Sequence, residues 1–97
     1  MTVNLHPKVR AEVDKVMDHY EAAGGPALAD EFYAELFSVI KQAAQSPGRF
    51  RIIERDIRRA NLKRFPYHFL FRVMADHVRI LVVRHHRRDP SLGMERR

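Results

Sequence analysis

The chain has 97 residues, of which 45% are hydrophobic and 31% charged, and it carries a formal net charge of +6. This length and composition are those of one small globular domain, which we expect to span residues 1–97. The sequence has no cysteine, so we expect neither disulfides nor thiolate metal sites. It also has no apolar run near the roughly 20 residues that cross a bilayer and no signal-peptide pattern. We therefore expect a cytoplasmic protein without membrane contact.

A short strand and two helices are predicted in the first half of the chain. Residues 2–6 alternate weakly and are too few for a helix, so we predict a strand. Pro7 suits the first turn of a helix and opens a helical hairpin over residues 7–46. Apolar residues recur at helical spacing on both sides of Gly24-Gly25, and Ser46-Pro47-Gly48 ends the second helix. Because the connection is short, we expect the helices to be antiparallel neighbours with apolar stripes facing the core.

The second half is predicted to be a sheet. Alternating apolar residues within residues 57–88 predict an antiparallel sheet of three or more strands, which makes the fold class α+β. Residues 49–56 could form either a loop or a short strand, and the sequence leaves this open. Residues 89–97 are polar and close to the chain end, so we expect a mobile tail there. The helical hairpin would then cover one face of the sheet.

A turn at Ala75-Asp76 determines the predicted pairing of the last two strands. It places Phe71 opposite Ile80 on an apolar face that the helices would cover. It also places Arg72 opposite Arg79 on the other face, where two like charges repel unless they splay apart or share an anionic partner. The register set by this turn predicts three further pairs between the two strands: Phe69 with Val82, Leu70 with Leu81, and His68 with Val83.

A second tight turn, at Phe65-Pro66, extends this separation of faces to the preceding strand. It would pair Ala60 with Phe71 on the apolar face and Arg59 with Arg72 on the other face. A slip of one residue would exchange the two faces, so the agreement of both turns supports the assignment. The resulting basic face, which we expect to bind a partner, comprises Arg59, Lys63, His68, Arg72, Arg79 and His85.

Charge is segregated between the two halves of the chain. Residues 1–46 carry 4 Lys and Arg against 7 Asp and Glu, a balance of −3, whereas residues 47–97 carry 14 against 5, a balance of +9. Of these 14 basic residues only Lys63 is a lysine. The planar guanidinium of arginine pairs well with phosphate and carboxylate. We therefore expect the second half to bind nucleic acid or an acidic protein segment.

The sheet region resembles a known family. Residues 62–73 read L-K-R-F-P-Y-H-F-L-F-R-V, and residues 85–90 read H-H-R-R-D-P. Together with the order strand, helix, helix and basic antiparallel sheet, they resemble the ParE branch of the ParE/RelE superfamily of bacterial toxins, over nearly the whole chain. The resemblance implies the toxin of a type II toxin–antitoxin system, of the plasmid-stabilisation type. It also implies a small antitoxin whose C-terminal segment folds along the toxin. The toxin is then expected to bind operator DNA only through this antitoxin.

The resemblance implies two possible targets. ParE toxins are associated with poisoning DNA gyrase, whereas RelE-like toxins cut messenger RNA on the ribosome. Cleavage needs a base, an acid and cations for the phosphate, and the candidate catalytic residues are Arg59, His68 as base, and Arg88. Asn61 stands where the nuclease branch places a cation, and no tyrosine follows Tyr67. Because this set is incomplete, we favour a gyrase inhibitor that is not an enzyme and keep the ribosome-dependent endoribonuclease as the alternative.

Three further expectations concern ligands and contacts. Arg87 and Arg88, at the end of the sheet, are candidates for contact with the target. His85 and His86 are adjacent on a strand and point to opposite faces, so we expect no metal site, and no motif indicates a cofactor.

A third hypothesis is a small basic nucleic-acid-binding module, whose affinity for nucleic acid would fall steeply with salt.

Overall fold

The fold is α+β, with the predicted order of a strand, two helices and a sheet. The structure, a computed structural model, describes residues 1–97. Neither helix is long and apolar enough to cross a membrane. The elements are β1 (Thr2–Leu5), α1 (Val9–Gly24), α2 (Pro26–Gln45), a 3₁₀ turn (Pro47–Arg49), β2 (Arg51–Glu54), β3 (Ile57–Asn61), β4 (Tyr67–Val73) and β5 (His77–His85).

A single sheet of five strands has the order β1-β5-β4-β3-β2. The strands β3, β4 and β5 pair antiparallel, as predicted. β2 adds antiparallel beside β3, and β1 adds in parallel beside β5. Residues 49–56, which the sequence left open, contribute β2 and a tight turn in which Arg55 has a φ of 51°. The sheet is therefore mixed, and the helical hairpin connects β1 at one edge of the sheet to β2 at the opposite edge.

The helices cover one face of the sheet and form the main core with it. Val9, Val13 and Val16 are the buried residues of α1, and they recur at the spacing of one helical face. Phe32 of α2 and Phe69 of β4 have no exposed surface. Between the helices Gly25 adopts a φ of 85°, a conformation that glycine takes without steric cost.

The pairing of β4 with β5 follows the prediction only near the turn. Phe71 lies opposite Ile80 and Arg72 opposite Arg79, as predicted, but the register shifts beyond Phe71. A bulge at this point places Phe69 opposite Val83 instead of Val82. The predicted pairs of Leu70 and His68 are wrong for the same reason, and the observed pairs are Leu70 with Val82 and His68 with Arg84.

The pairing of β3 with β4 is displaced from the prediction by two residues. Arg59 lies opposite Leu70, and Ala60 lies opposite Phe69. The connection is a loop over residues 62–66 rather than a tight turn, and the Leu62 N–H donates to the Tyr67 carbonyl across it. A shift of two residues keeps every side chain on its predicted face, because side chains alternate with a period of two. For β3 and β4 the pairing was therefore wrong and the assignment of faces right. In β5 the bulge places Val82, which was predicted to face the helices, on the other face.

The residues predicted as a mobile tail pack against the sheet instead. Leu92 and Met94 contact a second apolar cluster on the face away from the helices, so the expectation of a solvated tail does not hold. Gly93 makes this approach possible: its φ is 85°, and a Cβ there would lie 2.5 Å from Val82. This second cluster consists of Ile57, Leu70, Leu81 and Val82.

The tail also closes the edge of β5 beyond the end of β1. The buried Arg96 donates to the Leu81 carbonyl at 3.0 Å and to the Glu12 carboxylate at 2.7 Å. The same carboxylate accepts a bond from the Val83 N–H at 3.1 Å. Side chains thus take the place of a neighbouring strand there and satisfy backbone groups that an edge strand leaves open.

Candidate functional site

The predicted basic face is divided by the tail into two separate sites. The apolar cluster and the tail residues Leu92 and Met94 occupy the middle of the face. The first site, the arginine cleft, lies at the end of the face near the β4–β5 turn. It has a volume of about 500 Å³ and is lined by Asn4, Arg55, Asp56, Arg72, Met74, His77, Arg79 and Arg97.

In the arginine cleft, Arg72 and Arg79 lie opposite each other as predicted, and different partners hold them apart. Arg72 pairs with the Asp56 carboxylate, while Arg79 donates to the Asn4 side chain and, at 3.1 Å, to the Leu5 carbonyl. The Arg72 Nε–H is buried and has no hydrogen-bond partner. Because the cleft is lined by four arginines and one carboxylate, it keeps an excess of positive charge after these pairings.

The second site, the histidine relay, lies at the opposite end of the face and contains Arg59, His68, Arg84 and His86. His68, the predicted base, is only 2% exposed. Its Nε2 accepts a bond from Arg84 Nε at 2.8 Å, and its Nδ1 lies 2.9 Å from Nδ1 of His86. Burial, assisted by the charges of Arg59 and Arg84, lowers the pKa of His68 to about 3. His68 is therefore neutral near pH 7, and both of its ring nitrogens are occupied.

Arg84 anchors the relay to the tail. It is buried, and its Nη1 donates to the carbonyls of Asp89, Pro90 and Leu92 at 3.4, 2.9 and 2.6 Å. Burial lowers the pKa of this guanidinium. The carbonyls and His68 accept its hydrogen bonds and so offset the free-energy cost of burying the charge. Sequence reasoning missed Arg84, although an arginine within the apolar run of β5 must find buried acceptors and could have been singled out for that reason.

The bonding pattern assigns the tautomers of both histidines. A guanidinium can only donate, so Nε2 of His68 is the acceptor and Nδ1 carries the proton. The Nδ1–H of His68 then donates to His86 Nδ1, and the proton of neutral His86 is on Nε2. The two ring planes differ by 13° with their centroids 5.1 Å apart, which fits rings lying side by side around such a bond. Sequence reasoning did not assign His86 to a functional site.

The remaining predicted residues belong to neither site. Lys63 is in the β3–β4 loop, where its backbone N–H donates to the Glu35 carboxylate at 2.8 Å. His85 points to the helix side and contacts Tyr67, with ring centroids 5.0 Å apart. It lines a groove between α1 and β5, and Arg88 lines the same groove. The proposed nuclease set of Arg59, His68 and Arg88 is therefore not gathered around one accessible pocket.

Comparison with known proteins identifies the family. The family described as "ParE toxin of type II toxin-antitoxin system, parDE" matches residues 3–90. A solved structure titled "Chromosomal ParDE TA system from P. aeruginosa" is 26% identical, with a TM-score of 0.78, and the match covers 88% of this chain and 95% of that one. No curated protein matches. The chain belongs to the family of ParE toxins of type II toxin–antitoxin systems.

Proposed function

We propose that this toxin acts on DNA gyrase by protein–protein contact and not by cutting RNA. The observation that carries the proposal is the enclosure of His68. Cleavage by attack of a 2′-hydroxyl needs a base within hydrogen-bond reach of that hydroxyl. His68 has almost no exposed surface, has partners on both nitrogens and has a pKa of about 3, so it cannot accept the proton.

The neighbouring side chains do not replace the missing base. In the tautomer assigned above, the exposed Nε2 of His86 carries a hydrogen and offers no lone pair. Arg59 donates from Nε to Oδ1 of Asn61 at 2.8 Å, so the amide oxygen is occupied as well. Arg88 lies in the α1–β5 groove. With no accessible base in the histidine relay, a mechanism based on binding is the simpler account of toxicity.

We further propose that the arginine cleft receives an acidic segment of the cognate antitoxin. Four arginine side chains against one acidic side chain leave positive charge to be neutralised. Carboxylates of a docking segment would form charge-assisted bonds in this cleft and accelerate association by electrostatic attraction. Of the residues predicted for antitoxin binding, this proposal retains Arg72 and Arg79 as the main contacts.

Two assays on the purified toxin distinguish the targets. We expect inhibition of gyrase supercoiling, accumulation of cleaved DNA complexes, and no new transcript ends when the toxin is expressed without antitoxin. A variant with Arg87→Glu and Arg88→Glu should inhibit gyrase about tenfold more weakly, because these exposed cations are the proposed target contacts. Gyrase that is unaffected by the wild-type protein, together with codon-phased transcript cuts, would instead establish the endoribonuclease.

A further inference from the structure

The histidine relay borders a small pocket that is rich in hydrogen-bond donors. Arg51 and Arg59 lie opposite each other across β2 and β3. With Ile53 and Asn61 they line a pocket of about 290 Å³, and no acidic side chain is among its lining residues. His86 adjoins this pocket, since its Nδ1 lies 3.5 Å from Nη2 of Arg59.

Internal bonds already engage the acceptor atoms of Asn61 and His86. Oδ1 of Asn61 accepts from Arg59 Nε at 2.8 Å, which leaves the amide NH₂ free to donate. Nδ1 of His86 accepts from His68, which leaves Nε2–H as a donor. The direction of this last bond originates in Arg84, which donates to the other nitrogen of His68. The interior of the protein therefore determines what the exposed imidazole presents to solvent.

We propose that Arg51, Arg59, Asn61 and His86 form an anion pocket that binds a phosphate group. A pocket with two guanidinium groups and no acidic side chain disfavours cations and favours a ligand that accepts several hydrogen bonds at once. The two guanidinium charges match a phosphate monoester, which carries about −1.5 to −2 near pH 7, better than a single carboxylate. The ligand is either free phosphate or the terminal phosphate of a nucleic acid. The pocket holds the group without cleaving it, because it contains no base.

His86 contributes to this pocket as a neutral donor. Burial and the charge of Arg59 lower its pKa, so it does not need to be protonated to bind the anion. His68 and Arg84 act as positioning residues, since they hold the proton of His86 on Nε2 without touching the ligand. This inference does not rest on the gyrase proposal, because phosphate binding at Arg59, Asn61 and His86 can be measured whatever the target of the toxin is.

The test is a titration of the full chain with inorganic phosphate at constant ionic strength, monitored by ¹H–¹⁵N NMR spectra. We expect saturable shifts centred on Arg59, Asn61 and His86, and much smaller ones with acetate. Arg59→Gln should weaken phosphate binding by about tenfold or more, because bonds between ions are among the stronger ones. Arg51→Gln, on an exposed edge strand, gives a second variant with an expected loss of about threefold. Arg10→Gln, on the exposed side of α1, is the matched control and should have no effect.

The positioning role is tested by the tautomers themselves. Long-range ¹H–¹⁵N spectra should place the proton of His68 on Nδ1 and that of His86 on Nε2. A His86 protonated on Nδ1 would overturn the relay, and equal effects of Arg59→Gln and Arg10→Gln would overturn the pocket. Short oligonucleotides with a 5′-phosphate or a 5′-hydroxyl identify the source of the ligand. Tighter binding of the phosphorylated form assigns a nucleic-acid end, whereas equal binding, with phosphate binding retained, assigns free phosphate.

Discussion

The arginine cleft and the histidine relay lie at opposite ends of one sheet face, and both are built from cationic or basic side chains. In the cleft, Arg72 and Arg79 are partly exposed, and one carboxylate serves four arginines. In the relay, Arg84 and His68 are buried and satisfy each other. A basic residue that remains short of acceptors is available to a partner, whereas one that is saturated within the protein holds the structure together. The cleft therefore has the character of a binding surface, whereas the buried pair of Arg84 and His68 has that of a scaffold.

The largest expected effect is the loss of stability in Arg84→Ala. The substitution would leave His68 and the carbonyls of Pro90 and Leu92 buried without their donor. We expect a loss of about 3–5 kcal/mol in the free energy of unfolding, measured with urea. Arg88→Ala, an exposed arginine four residues along, is the control and should change stability by less than about 0.5 kcal/mol. Equal stability of both variants would remove the structural role of the relay.

The next largest effect concerns the cleft. Arg72→Glu and Arg79→Glu should each weaken binding of the cognate antitoxin by about 2 kcal/mol or more, roughly thirtyfold, because a new carboxylate repels the acidic segment. Titration calorimetry measures the change, and circular dichroism checks that the fold is retained. Arg10→Glu on α1 introduces the same charge change away from the cleft and serves as control. Unchanged affinity in the cleft variants would contradict the proposed docking site.

The buried His68 should also make stability depend on pH. Its folded pKa of about 3 is below its unfolded value of 6.5, so the unfolded chain binds more protons between these values. The stabilisation is therefore complete above pH 6.5 and is lost as the pH falls towards 3, with about 2 kcal/mol lost by pH 5. Urea unfolding at pH 7 and pH 5 measures this loss. His68→Gln should reduce the difference, and an unchanged difference would mean that other groups cause it.

The smallest expected effect is that of Gly93→Ala in the tail. A methyl group at this position would collide with Val82, and the φ of 85° is unfavourable for alanine. We expect a loss of about 1–2 kcal/mol, with faster amide exchange in residues 91–96 than in wild type. Gly48→Ala is the control, because no atom lies within 4 Å of a Cβ there. If Gly93→Ala is neutral, the tail contributes less to the separation of the two sites than its packing indicates.

The sequence allowed the α+β class, the helical hairpin and the two faces of the sheet to be predicted, because these depend on local periodicity. Helical spacing identified the core residues of α1 and α2, and alternation identified the apolar face of β4. Even the error of two residues between β3 and β4 left each side chain on its face. The family could be recognised from residues 62–73 and 85–90 for the same reason, since those motifs are continuous along the chain.

Alternation and residue type could not predict the roles of individual side chains. The bulge after Ile80, the position of Lys63 in a loop and the packing of the tail depend on contacts between residues far apart in the chain. His68 has the residue type of a catalytic base, and only its burial and its two bonded nitrogens exclude that role. The pattern of the sequence thus determined which residues share a face. The tertiary structure determined which of them reach solvent, because desolvation and the supply of hydrogen-bond partners are properties of the folded chain.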